Sequence, residues 1–165
     1  MYRSIDDFLT DWKYETDSTL KVFALISDDK AKEKISVNIR SLATLGWHLT
    51  QTLTEMGTKA GLFDEDALEH LPVPAMTEIA ETYRKYAELI GKAVRSRWTD
   101  SSLPELKDMY GDQWQKAQIL RILINHQAHH RGQMTTIMRM LEISVPGLYG
   151  PSKEEWAEFG MAAPE

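Results

Sequence analysis

The stretch Ile119-Leu120-Arg121-Ile122-Leu123-Ile124-Asn125-His126-Gln127-Ala128-His129-His130-Arg131-Gly132-Gln133 decides how this chain is read. Its aliphatic residues recur at three- and four-residue steps, the period of an α-helix buried along one side. At about 100° per residue, Ile119, Ile122, Leu123, Ile137, Met140 and Leu141 fall within about 60° of His126, which centres the apolar stripe. His130 falls about 40° away, Gln133 about 20° to the other side, and His129 at the edge, about 60° off. His126 and His130 therefore pair on one face, one turn apart, with ring nitrogens able to reach a single divalent cation.

The competing reading is a pair of core histidines hydrogen-bonded to neighbouring helices. Each ring brings a donor and an acceptor into an apolar seam, and each such group left unsatisfied costs about 1–3 kcal/mol. A metal removes that cost by taking one nitrogen per ring and leaving the other for a hydrogen bond. Chance i, i+4 pairs on exposed faces also occur, so spacing leaves both readings open. Peptidase chemistry is disfavoured, because Gln127 stands where the zinc-protease motif has a Glu as general base.

Outward from this helix, the rest of the chain also reads as helical. Ile5, Phe8, Leu9, Trp12, Leu20, Phe23 and Ile26 predict a first helix from Ser4 to about Asp28, with Ser4 and Asp7 as a capping box. Leu42, Leu45, Leu49, Leu53 and Met56 predict a second, from about Ser36 to Lys59, that carries His48. Gly61 to Pro74, with three Pro or Gly and four acids, reads as a long crossover. A third helix follows from about Ala75 to Trp98. Thr99 to Gly111 reads as a loop folding back over one end of the bundle, a candidate lid, and the histidine helix runs from Asp112 or Gln115 to about Glu142. Ser152-Lys153-Glu154-Glu155 predicts a capping box for a short last helix bearing Trp156 and Phe159. No strand is predicted, and the fold class is an all-α four-helix bundle in a single domain, 1–165.

Composition narrows the chemistry. The 165 residues include no cysteine, so any metal is held by nitrogen and oxygen and no thiolate nucleophile is available. A net charge of −6 without a Lys/Arg cluster argues against nucleic acid. No apolar run is long enough for a membrane span and the N-terminus lacks a signal-peptide core, so a cytoplasmic protein is expected.

A catalytic zinc usually takes three protein ligands, and the candidates for the third are His48 and His70. His70 lies in the polar crossover, where exposure is the expectation. His48 lies about 100° from the centre of its helix's stripe, a position that faces either solvent or a mouth between helices.

His126, His130, Arg131, Gly132 and Gln133 form a His-x-x-x-His-Arg-Gly-Gln segment, and with it the chain resembles the DinB/YfiT-like family of metal-binding four-helix bundles. The helix count, the long second connection and the short last helix match as well. That resemblance implies His48 as the third metal ligand, an up-down-down-up topology, a homodimer, and a divalent ion such as zinc or nickel. It further implies a role in bacterial stress response through transfer of a low-molecular-weight thiol of the bacillithiol type to a small electrophile. A metal-dependent hydrolase and a non-catalytic, metal-stabilised binding module are the alternatives.

Five further expectations concern individual residues. Gln133 shares the ligand face and is placed to orient a ligand or a metal-bound water. Arg131, about 140° from His126, is expected at the surface or an interface. Gly132 costs the helix about 1 kcal/mol, which close approach of a neighbouring helix would explain. Glu55 is expected to be a solvated acid, and Trp12, Trp47, Trp98 and Trp156 to pack in the core.

Overall fold

A computed structural model describes residues 1–163. Four long helices carry it: α1 (Ile5–Ala24), α3 (Leu42–Lys59), α4 (Met76–Arg97) and α5 (Lys116–Met140), with a short α2 (Asp28–Lys32) between the first two. Side-chain caps set the starts of the first three. Ser4 accepts from the Asp7 amide, Ser27 from Lys30 and Ser41 from Thr44, each satisfying one orphan donor of a first turn.

These caps also explain two departures from the sequence reading. The first helix stops at Ala24, not near Asp28, because Ser27 opens α2 instead. The second begins at Leu42, not Ser36, because Ser41 caps it and residues 33–41 stay irregular.

Helix directions follow from which ends meet. Gly46, early in α3, faces Met76 and Ile79 at the start of α4, and Gly57, late in α3, faces Ile90, so these two helices run parallel. Leu9 and Trp12, early in α1, meet Gly91, late in α4, so that pair is antiparallel. Tyr2 shares a cleft with Ala117, while Glu15 and Thr19 bond Arg131, so α1 and α5 are parallel. Leu45 shares a cleft with Ile137 while His48 meets His126, so α3 and α5 are antiparallel. The result is an up-down-down-up bundle, in which the 61–75 connection returns the chain along the bundle's full length. Phe8, Leu42, Leu49, Leu53, Ile79, Tyr83, Ile90 and Ile119 fill its centre.

The structure contains strands that the sequence reading did not predict. Leu106–Met109 (β1) pairs antiparallel with Asp112–Gln115 (β2), joined at Tyr110-Gly111. Both turn residues have positive φ, 61° and 87°, the geometry of a type I′ hairpin turn. The hairpin rests β1 on α3 and leads directly into α5, with Met109 buried beneath it. Tyr110 meets Lys59 at the C-terminal end of α3, so the hairpin closes that end of the bundle.

The last helix is one 3₁₀ turn, Glu155–Phe159. Glu155 accepts from the amides of Ser152 and Gly147, but the Ser152 hydroxyl has no partner, so only half of the expected capping box forms. Trp12, Trp47 and Trp98 lie in the core as expected; Trp156 is only half-buried. Among the described residues no helix is long and apolar enough to cross a membrane.

Candidate metal centre

The antiparallel packing of α3 on α5 brings His48 up to the face that carries His126 and His130. Ring centroids are 5.1 Å apart for His48 and His126, 4.6 Å for His48 and His130, and 4.4 Å for His126 and His130. One nitrogen of each ring lies within 4.8 Å of the other two, so the three-histidine group could hold a metal ion. His129 is exposed and outside the group; His70 is on the surface, beside Glu69.

Tautomer and charge both favour a cation. His130 Nδ1 lies 2.8 Å from Gln133 Oε1, which only accepts, so the proton sits on Nδ1 and Nε2 turns its lone pair to the cluster. The Gln133 amide nitrogen is in turn 3.2 Å from His129 Nε2. His130 Nε2 and His126 Nε2 face each other at 3.1 Å. Two nitrogens bound to one zinc at the tetrahedral angle would be ~3.3 Å apart. His126 Nδ1 is buried with no hydrogen-bond partner, so the protein offers this ring little besides its neighbouring imidazoles.

Burial first, then the neighbouring rings, pushes the His126 imidazole down to about 4. Burial, His130 and the Arg40 guanidinium do the same for His48, also to about 4. His130 is lowered too, mainly by burial. All three rings are therefore neutral bases at neutral pH, the form that ligates metal.

Two clefts flank the rings. One of about 580 Å³ opens beside His130 and is walled by Leu45, Ile137 and Met140. The other, about 440 Å³, opens beside His48 and is polar, with Glu55, Lys59, Asp66 and Glu69 among its walls. Glu55, expected to be a solvated acid, is half-buried there.

The profile of the DinB family matches residues 1–164. The chain belongs to the DinB family. A relative from Bacillus subtilis (strain 168), named uncharacterized protein YrdA, is 36% identical over 166 residues, covering all of this chain and 99% of its own. The crystal structure of a DinB-like protein from Bacillus cereus ATCC 10987 superposes with a TM-score of 0.81 at 36% identity, over 90% of this chain and all of its own. A second DinB-like protein, YjoA from Bacillus subtilis, matches at 14% identity with a TM-score of 0.70, over 88% of this chain and 99% of its own, and shares the fold.

Two sequence expectations within the DinB segment fail. Arg131 is not at the surface: it is fully buried, the largest such side chain. Its guanidinium bonds the Glu15 carboxylate, donates at 3.1 Å to both the Glu15 carbonyl and the Thr19 hydroxyl, and reaches the Tyr149 hydroxyl. Tyr149 in turn donates to Glu15 at 2.9 Å. The single-stripe wheel missed this because α5 packs against α1 as well as α3, so its buried arc is wider than one seam.

Gln127, one turn before Arg131, lies in the same seam. It is buried, and its Oε1 accepts from the Tyr83 hydroxyl at 2.8 Å. Gly132, expected at a helix contact, has nothing within 4 Å of where a Cβ would stand, and no packing requirement explains it.

Proposed function

We propose that this DinB protein is a cytoplasmic, metal-dependent enzyme that transfers a polar low-molecular-weight thiol, of the bacillithiol type, to a small electrophile. One observation carries the reading: among the described residues, three neutral imidazoles from two helices converge on one point, and the group they form includes no acid. Such a set has the donor chemistry for zinc or nickel and leaves coordination positions open. A bound divalent ion would act as a Lewis acid, stabilising the thiolate form of the cosubstrate.

The protein's own part is positioning. Gln133 fixes the His130 ring, and the two clefts admit two reactants from different sides. The polar cleft beside His48 suits the hydroxyl- and amine-bearing body of the thiol, and the apolar one suits the electrophile. In the reaction the thiol proton passes to solvent, sulfur bonds to the electrophilic carbon, and the leaving group departs with its electron pair. The lack of cysteine in the chain agrees with an external thiol.

Glu55 favours a second reading, metal-dependent hydrolysis, because its half-buried carboxylate lines the same cleft as His48 and is the carboxylate we would test as a general base. The test has two stages. Elemental mass spectrometry on untagged wild type, His48→Ala, His126→Ala and His130→Ala is expected to find about one divalent ion per chain, lost in each variant. Electrophile consumption is then measured with and without bacillithiol. Thiol-dependent turnover supports transfer; thiol-independent turnover lost in Glu55→Gln selects hydrolysis. Protein that stays metal-free after incubation with zinc or nickel overturns both.

A further inference from the structure

The cleft beside His130 has a feature that metal binding does not use. Leu45, Ile137 and Met140 line it with apolar surface, Ile39 adds to its edge, and Arg40 stands in its wall as the one formally charged side chain among the described lining residues. The rest of the wall is amide, hydroxyl and imidazole, with no carboxylate. Arg40 is exposed, and no acid among the described residues pairs with it. In a chain with 25 acids to 19 bases, an unpaired guanidinium in an acid-free cleft lacks only an anion. Its charge is felt at both His48 and His130, where it adds to burial in disfavouring protonation. Arg40 also immediately precedes Ser41, the N-cap of α3, so the positive end of that helix reinforces the same mouth.

We propose that this cleft binds an amphipathic carboxylate, its anionic head on Arg40 and its apolar body over Leu45, Ile137 and Met140. A guanidinium fork matches a carboxylate with two parallel hydrogen bonds, and about 580 Å³ lies within the usual range of small-molecule sites. That this ligand is the electrophile rests on the function proposed above; the binding itself does not.

Octanoate is the probe and octan-1-ol the uncharged control, titrated calorimetrically into wild type and Arg40→Ala, each zinc-loaded and metal-free. Wild type is expected to prefer octanoate. Arg40→Ala should weaken octanoate at least ~10-fold, the scale of one charge-assisted hydrogen bond, and leave octanol unchanged, with or without zinc. Arg40 is exposed, so the variant should melt like wild type. Octanoate affinity indifferent to Arg40→Ala overturns the proposal; if it also vanishes on metal removal, the carboxylate binds the metal and the metalloenzyme reading survives alone. Arg40-dependent octanoate binding by a protein that never takes up metal sustains the cleft and sinks that reading.

Discussion

Two neighbouring residues of α5 point into different seams, and the seams are built on opposite principles. Arg131 enters the α1–α5 seam and meets a carboxylate, a hydroxyl, a carbonyl and a phenol. His130 enters the α3–α5 seam and meets two more bases. In the first seam an acid faces the base and the protein neutralises its own buried charge, although Arg131 Nε and Gln127 Nε2 stay without a partner. In the second, like groups are gathered and left wanting a cation. Both seams are polar and half or wholly buried, so polarity in a core does not by itself mark a functional site; a gathering of neutral bases with no acid among them does.

The largest effect expected from breaking this contrast lies in the α1–α5 seam. Arg131→Ala leaves the Glu15 carboxylate buried and uncompensated, and should cost about 3–5 kcal/mol in urea unfolding. Exchanging both partners, Glu15→Leu with Arg131→Met, should recover most of that loss, because an apolar pair of similar volume carries no desolvation cost. A double variant as unstable as the single one would mean that the network does more than neutralise charge.

The other seam should behave in the reverse way. His126→Ala is expected to leave the metal-free protein near wild-type stability and to abolish stabilisation by zinc. That stabilisation should be about 2.7 kcal/mol in wild type at a hundredfold excess over Kd, read from paired melts. Zinc stabilising the variant equally would remove His126 from the ligand set.

Gln133→Ala probes the support of one ligand, and a 10–100-fold loss of metal affinity by competition with a chelator is the expected scale. Tyr149→Phe should be mildest, about 1 kcal/mol, since the network loses one hydroxyl and keeps its ion pair.

Acid offers a further separation of the seams. His48 and His126 titrate at about 4 in the folded chain, against 6.5 for an ordinary imidazole. On acidification the unfolded chain takes up protons first, so their contribution is complete above pH 6.5 and drains away as the pH falls toward 4. Metal-free protein should therefore lose stability across that window, and His126→Ala should flatten the slope. An unchanged slope in the variant would show that other groups govern the acid limb.

The sequence carried the helical class, the α4 and α5 stretches and the pairing of His126 with His130 because each rests on local period. What it could not carry was which helices touch. His48 lay on the flank of its own stripe, and only the packing of α3 against α5 turns that flank inward. Arg131 was misplaced for the same reason: a wheel centred on one seam treats the second seam as solvent. The hairpin did have a local signal, Gly111 after Tyr110 between two short polar–apolar runs, but the first run reads as part of a loop and the second as the start of α5.

The long 61–75 return gives the site a timetable. His48 is made early in the chain, whereas His126 and His130 arrive only after α4 and the hairpin, so no local segment contains the whole cluster. Closing so distant a contact is slow compared with forming any one helix. During synthesis or refolding, tight capture of an ion should thus coincide with the docking of α5, making metal uptake a clock for the final step of assembly.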